Sequence, residues 1–297
     1  LQCDFLPQDS HVFTGNPALL EAVEREAEAA SRLGIQADAT NAAGFVLPYL
    51  VAVRFRNQAM FHPVKYLDGL AAALRRNGGR VYENSPVVRL GGGLAYTDGG
   101  SVRARCVLVA THSPMPGSPA WYRGLLAAGC GLAACVENAP LPAGMWQDCD
   151  DGMTFRACGD RLLAGFGGGQ RAGREKPSQE GFLRRLEERF PKCGPAAMWP
   201  VRSVHTPDGL PYVGKYTAKS GCLFAAAGFG RWGITGGTLA GHILCDLVLD
   251  KKNLYAELCS PQRLPSPAAA ARAAARCLAY GWRLAAGKLG LGAKASL

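Results

Sequence analysis

GFGRWGIT, residues Gly228–Thr235, follows the apolar run Cys222–Ala227 and precedes a helix-like segment, Thr238–Leu249. Its three glycines have the G-x-G-x-x-G spacing, which lets a backbone approach a pyrophosphate at a helix N-terminus. A dinucleotide fingerprint of that kind opens a nucleotide-binding domain and needs a second parallel strand, with an acidic residue roughly 20 residues on. The segment after Leu249, KKNLYAELCSPQR, has no β-branched run that could form that strand. We therefore expect the turn to complete a sheet built from earlier residues.

Length and composition are those of a globular protein. The chain has 297 residues, enough for one large domain or for two with separate cores. Its 48% hydrophobic and 19% charged residues fit a soluble protein. No stretch reaches the ~18 uninterrupted apolar residues of a membrane span, and the N-terminus, LQCDFLPQDSHVF, is unlike a signal peptide. We expect a cytoplasmic protein with no membrane span.

Cysteine spacing argues against a metal-binding protein, and charge distribution argues against a nucleic-acid-binding protein. The eleven cysteines contain no C-x-x-C pair, which favours a reduced chain with no metal site. Six of the ten net positive charges lie after Glu257, where the chain has no acidic residue. This Ala-rich basic tail is typical of a solvated appendage more often than of a membrane or RNA contact. We expect no nucleic-acid partner.

Capping residues and periodicity place the secondary structure. Asn16 and Gly34 bound a predicted helix over Pro17–Leu33, and two glycines end a second helix over Pro63–Asn77. A helix is also expected over Gln179–Phe190. Short strands are expected over Arg80–Glu83, Val87–Leu90, Leu94–Thr97, Ser101–Arg103, Cys106–Ala110, Met153–Arg156 and Arg161–Phe166. The strand Cys106–Ala110 is almost wholly apolar, as a strand buried on both faces should be. The secondary-structure patterns in the rest of residues 114–200 are weaker, and we expect an inserted region there.

The order of four segments resembles a known family. PVKYLDGLAAALRRNGGRVYENSPVVRL, VRARCVLVATHSP, TPDGLPYVG and CLFAAAGFGRWGITGGTLAGHILCDLVL resemble the flavin-dependent amine and amino-acid oxidases, the D-amino-acid oxidase and glycine oxidase family. The resemblance covers roughly residues 2–263. Some bacterial relatives that share FHPVKYL and YAELCSPQR carry an added Rieske iron–sulfur domain. The chain has no Cys/His pairs for such a domain, so we expect none in it.

The resemblance implies an α/β fold with two domains. A Rossmann-like parallel sheet, incomplete at its N-terminus, would bind FAD over residues 58–112 and 202–263. A mostly antiparallel α+β substrate or cap domain would comprise residues 1–57 and 113–201, and residues 264–297 would form the basic tail. The family begins with a strand, a G-x-G-x-x-G turn and a helix that hold the FAD pyrophosphate, and the first residues of this chain contain none of these.

Site residues follow from the same resemblance. The cofactor-binding set that it implies is Val87, Ala110, Thr111, Gly228, Phe229, Gly230, Arg231, Trp232, Gly233, Ile234 and Thr235. In this set WGIT would bind the pyrimidine edge of the flavin, where a helix N-terminus offers N–H groups and a partial positive charge. The catalytic candidates are Arg202, as a bidentate partner of a substrate carboxylate, and Trp232, as a pocket wall. The alternatives are an exposed arginine, a core tryptophan and a purely structural glycine turn.

The implied activity is oxidation of the C–N bond of an amine or amino acid by hydride transfer to flavin N5. His62 and His112 are interpreted as structural, because this chemistry often needs no dedicated base. Asp208 is interpreted as a turn former, because it lies in a P-D-G sequence. Two alternatives remain open: a truncated fragment, or a non-catalytic subunit that needs a partner chain for the pyrophosphate site. A nicotinamide dehydrogenase is the weakest interpretation, since the second parallel strand is missing.

Overall fold

The computed structural model describes residues 1–41, 44–91, 93–115, 118, 120–167, 178–263, 266–268, 270–275 and 278. The strands are β1 (Leu6–Thr14), β2 (Ala37–Thr40), β3 (Val51–Met60), β4 (Val87–Gly91), β5 (Leu94–Thr97), β6 (Gly100–Arg103), β7 (Val107–His112), β8 (Ala127–Val136), β9 (Met145–Asp148), β10 (Thr154–Cys158), β11 (Arg161–Gly167), β12 (Pro195–His205), β13 (Tyr212–Lys215) and β14 (Leu223–Ala227). The helices are α1 (Leu20–Arg32), preceded by a 3-10 turn at Pro17–Leu19, α2 (Pro63–Arg76), α3 (Ala120–Leu125), α4 (Gln179–Arg189), α5 (Gly233–Val248) and α6 (Ala256–Cys259). None of these helices is long and apolar enough to cross a membrane.

The chain divides into two compact units. Unit 1 comprises Leu1–Val81 with Cys130–Val201, and unit 2 comprises Tyr82–Gly129 with Arg202–Leu297. The large sheet has the order β12-β8-β11-β10-β9-β1-β3-β2. Strand β3 pairs antiparallel with both β1 and β2. The pairs β8–β11, β11–β10 and β10–β9 are also antiparallel, whereas β1 and β9 run parallel.

Helix α4 covers the aromatic face of the sheet in unit 1. Its Phe182 and Leu186 are 0% and 2% exposed and belong to one cluster with Trp146 and Phe155. Fully burying a side chain of this size stabilises a fold by about 1.5–3 kcal/mol. Ser178 caps the helix by accepting a hydrogen bond from the Gly181 N–H. The helix predicted over residues 179–190 is therefore confirmed.

In unit 2, a three-stranded sheet lies between two apolar clusters. Its order is β13-β14-β7, with β14 parallel to β7 and antiparallel to β13. Phe224 of β14 packs with Ile243 of α5 on one face. Ala225 packs with Tyr122 on the other face, so β14 is buried on both sides. A separate antiparallel sheet, β4-β5-β6, belongs to the same unit.

Strand β7 departs from the expectation of burial on both faces. Val109 is 7% exposed, but Leu108 is 47% exposed and Ala110 is exposed too. Within the described residues β7 lies at the edge of its sheet, where one side of its backbone has no neighbouring strand. An apolar strand with a free edge is a template for pairing with a further strand.

Three other sequence expectations are corrected. Residues 80–83 form no strand, because they are exposed and no neighbouring strand pairs with them. Residues 114–200 hold several strands of the large sheet; β8, AAGCGLAACV, is rich in glycine and alanine, which have low strand propensity. Helix α5 begins at Gly233 rather than at Thr238, so GIT belongs to the helix.

The predicted tail, residues 264–297, lies outside the described residues except for 266–268, 270–275 and 278. The described part does pack on unit 2. The Arg272 Nε donates to the Pro207 carbonyl over 3.0 Å, and Ala273 is 7% exposed. The tail is therefore not a solvated appendage at Arg272 and Ala273, whereas residues 266–268 are exposed.

Candidate functional site

The two parallel strands of unit 2 end at the same edge of the sheet. His112, at the end of β7, is paired in register with Ala227, at the end of β14. This register brings Ala110 and Thr111 beside the start of the glycine turn at Gly228. In open α/β sheets, ligands bind at the carboxyl ends of parallel strands. His112 is not a glycine, yet its φ is 63°. Unfavourable backbone angles of this kind cluster at functional sites.

The glycine turn is held tightly against the end of β12. Gly228 has φ 80° and is buried, and a Cβ there would collide with the Thr206 side chain. Gly230 has φ 57°, and its N–H donates to the Val204 carbonyl over 2.8 Å. Phe229 forms a β-bridge with His205. The turn therefore needs glycines for its own shape, independently of any ligand.

Helix α5 starts directly after this turn with open N–H donors. Its N-cap, Trp232, makes no side-chain capping bond, and the first turn holds no acidic residue. In the described part of the chain, no acceptor faces the N–H groups of Gly233, Ile234 and Thr235. A helix N-terminus with free donors carries a partial positive charge. This edge suits a group that presents carbonyl oxygens or negative charge, as the pyrimidine edge of a flavin does.

The exposure of the remaining predicted residues is uneven. Trp232 is 75% exposed, so it does not belong to the core. Arg231 and Thr235 are also exposed, whereas Phe229 packs against Gly236 of α5. Val87 is 38% exposed and lies in β4 of the separate sheet. The structure thus brings Ala110, Thr111 and the turn to one edge and places Val87 outside that edge.

A hydrogen-bonded pair, which the sequence analysis missed, lies beside the turn. Ser203 Oγ and His205 Nε2 are 2.8 Å apart, at the end of β12. A Cβ on Gly129 would lie only 2.5 Å from Ser203 Oγ and 3.0 Å from His205 Nε2, so the pair fills the space over that glycine. The His205 ring also faces Gly230. The alternation S-V-H before a turn was the only sequence signal for this pair.

Strand geometry places Arg202 apart from that pair. Successive residues of a strand point to opposite faces, so Arg202 lies on the face opposite Ser203, and it is exposed. His62 is the N-cap of α2, where its Nδ1 accepts from the Lys65 N–H over 3.3 Å. Asp208 accepts from the Leu210 N–H, as the expected turn former does. His62 and Asp208 therefore have the structural roles that the sequence predicted.

Known structures share this fold. Glycine oxidase from Geobacillus kaustophilus superposes with a TM-score of 0.72 at 20% identity, covering 90% of this chain and 77% of that chain. L-proline dehydrogenase from P. horikoshii gives a TM-score of 0.72 at 15% identity, covering 87% and 77%. These likenesses confirm the predicted α/β fold class.

Sequence comparisons identify the family. A protein of Bacillus subtilis (strain 168) that is named as a Rieske 2Fe-2S iron-sulfur protein is 25% identical over 277 residues, which are 89% of this chain and 54% of that protein. The chain thus spans about half the length of this curated relative. The family model DAO, described as FAD dependent oxidoreductase, matches residues 1–247. The chain therefore belongs to the DAO family of FAD-dependent oxidoreductases.

Proposed function

We propose that this chain binds the isoalloxazine end of FAD and oxidises the C–N bond of an amine or amino acid. The observation that carries the proposal is the open N-terminus of α5, which follows a glycine turn with two positive φ angles. Family membership supports the choice of cofactor. Structural neighbours named glycine oxidase and L-proline dehydrogenase support an amino-acid or amine substrate.

The protein's part in this reaction is electrostatic. Bound FAD supplies the hydride acceptor, and the α5 backbone has only to hold the ring and favour negative charge on it. The N–H groups of Gly233, Ile234 and Thr235 lie where the helix dipole is positive. Pre-oriented donors of this kind stabilise developing charge without reorganisation. The exposed Thr235 hydroxyl is available for one more hydrogen bond.

Substrate contacts are assigned to two side chains. Arg202 is the proposed partner of a substrate carboxylate, and Trp232, with three quarters of its side chain exposed, is the proposed apolar wall. The Ser203–His205 pair lies on the face of β12 opposite Arg202 and supports the glycine turn, because the His205 ring packs against Gly230. An imidazole that is hydrogen-bonded to a hydroxyl keeps a fixed orientation, which suits this supporting role.

A second candidate function is that of a subunit or fragment that holds only one end of FAD. Two surfaces favour it. In unit 2, β7 has no further strand beside it among the described residues, and its Leu108 is exposed. In unit 1, the four large aliphatic side chains of α2 are exposed: Val64 by 58%, Leu67 by 53%, Leu70 by 43% and Leu74 by 50%. A strand-turn-helix unit for the FAD pyrophosphate, in a preceding segment or a partner chain, is the proposed partner of the β7 edge.

One experiment separates the two functions. The purified chain is reconstituted with FAD, desalted, and reduced anaerobically with a panel of amines and amino acids while the flavin absorbance is recorded. Retained flavin that bleaches with an amine supports the enzyme. Flavin retained only when a polypeptide with a strand-G-x-G-x-x-G-helix unit is added supports the subunit. Absence of flavin from both preparations contradicts both.

A further inference from the structure

Cys106 and Cys222 lie side by side where the parallel strands of unit 2 begin. Leu223 of β14 is in register with Val107 of β7, and the residue before each is a cysteine. The Val107 N–H donates to the Cys222 carbonyl over 2.8 Å, which fixes the two backbones at ladder spacing. Neighbouring strands lie about 4.8 Å apart, within the range of roughly 4.4–6.8 Å that Cα atoms joined by a disulfide span.

The two side chains also meet. The neighbouring Cys222 thiol, together with burial, raises the pKa of the Cys106 thiol. Cys222 is exposed to solvent, whereas Cys106 is partly covered by the cluster under α5. An oxidant in solution therefore reaches Cys222 first and finds a second thiol already beside it.

We propose that Cys106 and Cys222 form a reversible disulfide, a redox modification site that uses hydrogen peroxide as oxidant. The Cys222 thiolate attacks one peroxide oxygen, and the O–O bond breaks. Hydroxide is the leaving group, and the Cys222 sulfur becomes a sulfenic acid. The Cys106 sulfur then gives up its proton and attacks the Cys222 sulfur, so that an S–S bond forms and water departs. Two thiols lose two electrons, and one peroxide becomes two waters.

The cross-link would join two strands that lead to the candidate site. β7 carries Ala110 and Thr111 at its other end, and β14 leads into Gly228. Because the disulfide connects positions far apart in sequence, it restricts the unfolded chain more than a disulfide that closes a short loop. The oxidised protein should therefore melt at a higher temperature than the reduced protein. Bound flavin is not needed for either effect, so the inference stands apart from the proposed function.

Peptide mapping tests the pairing directly. The reduced protein is freed of reductant, treated with hydrogen peroxide at a stoichiometric amount, alkylated, and digested with trypsin without reduction. Cleavage after Arg105 and Lys219 places each cysteine in a peptide with no other cysteine, residues 106–123 and 220–231. We expect a linked peptide of these two segments that a thiol reductant separates, and a melting temperature that rises on oxidation and returns on reduction.

Two variants and one denatured sample serve as controls. Cys222→Ser should abolish the linked peptide and the shift in melting temperature. Cys158→Ser, at an exposed cysteine of β10, should leave both unchanged. Protein oxidised in guanidinium chloride should give mixed pairings, because strand register no longer selects the partner. The proposal is overturned if folded wild-type protein keeps both thiols free, or accumulates sulfinic acid at Cys222 with no linked peptide.

Discussion

Arg263 and Asp208 are joined by two hydrogen bonds, from Nε over 2.8 Å and from Nη2 over 2.6 Å, across 55 positions of sequence. Their side chains are 10% and 18% exposed. The same guanidinium donates to the carbonyls of Leu210 and Pro211 and lies 4.2 Å from the centre of the Tyr212 ring. This ion pair therefore fixes the segment before β13 to the chain that follows α6.

The Asp208–Arg263 pair should make unit 2 sensitive to acid. Burial acts to raise the pKa of Asp208, but the hydrogen bonds and charge of Arg263 outweigh it and hold that pKa below its usual value. Because the folded-state pKa is the lower one, the stabilisation is complete above the usual pKa, about 4. It is lost as the pH falls through the folded-state value. Acid unfolding of wild type and Asp208→Asn, followed by hydrogen exchange in β13, should show this step in wild type only.

Removal of Arg263 should be costly at neutral pH. Arg263→Met leaves the half-buried Asp208 carboxylate without its partner, which should cost less than the 3–5 kcal/mol of a fully buried pair and more than an exposed one, about 2 kcal/mol. The matched control is Asp4→Asn, which breaks the exposed pair with Lys65, whose side chain is 52% exposed. Such surface pairs contribute about 0–1 kcal/mol. Equal denaturant midpoints for the two variants would falsify the structural role given to Arg263.

The sequence predicts the helices more accurately than the strands. Caps and amphipathic periodicity located α2 and α4 within a residue or two, because these signals are local. The large sheet was mostly missed, since β8 consists largely of glycine and alanine, and its partners are distant in sequence. The Ser203–His205 pair was missed for a related reason. Neither residue is unusual until the turn at Gly230 is folded against β12.

His11 should make unit 1 less stable below about pH 6.5. The ring is 5% exposed, stacks on Trp146 with centroids 4.0 Å apart, and has an Nδ1 without a partner among the described residues. Burial lowers the pKa of His11. The unfolded chain therefore binds a proton that the folded chain does not, and stability falls as the pH drops below the ordinary value of about 6.5.

His11→Phe is the variant that tests this effect, because it keeps a ring against Trp146 and removes the titrating group. We expect its denaturant midpoint to change less than that of wild type between pH 7 and pH 5, a range set by the usual histidine pKa. His242→Phe, at an exposed position of α5 in unit 2, is the control and should retain the wild-type slope. If the denaturant midpoint of His11→Phe changed with pH as much as that of wild type, the buried ring would not be the cause of the loss of stability between pH 7 and pH 5.

Arg202→Gln tests the proposed carboxylate contact in the flavin-loaded protein. If Arg202 binds the carboxylate, kcat/KM for an amino acid should fall by about 100-fold, which corresponds to ~2.7 kcal/mol of lost transition-state binding. The decarboxylated amine should react as before. A bidentate contact would not be restored by Arg202→Lys. Equal losses for amino acid and amine would instead indicate a structural arginine, as its place opposite Ser203 allows.

The exposed face of α2 should tolerate polar substitution. Leu67 and Leu74 are 53% and 50% exposed, so Leu67→Gln with Leu74→Gln should change the free energy of unfolding by less than ~0.5 kcal/mol per site. Phe182→Ala, in the buried face of α4, should cost about 3–5 kcal/mol. The double variant should also lower dye binding and self-association, since exposed apolar patches promote contact with other chains. Destabilisation similar to that of Phe182→Ala would mean that α2 is covered within the chain itself.

Gly228→Ala and Gly233→Ala separate the shape of the turn from its proposed contact with FAD. At Gly228, with φ 80°, an added methyl group would strike Thr206 and come within 3.2 Å of Leu126 Cδ2, so we expect a loss of about 2–4 kcal/mol of stability. At Gly233 nothing lies within 4 Å of the added carbon, so Gly233→Ala should keep wild-type stability.

Gly233→Ala, which should keep wild-type stability, should nevertheless weaken flavin binding. If the α5 N-terminus faces the ring, the methyl group of Gly233→Ala enters the space proposed for the flavin, and the Kd for FAD should rise about tenfold, the equivalent of ~1.4 kcal/mol. Gly241→Ala, in the exposed middle of α5 with nothing within 4 Å, is the matched control for the added methyl group. It should bind FAD as wild type does. Unchanged affinity in Gly233→Ala would place the flavin ring elsewhere, because a helix N-terminus in contact with a ligand has no room for that carbon.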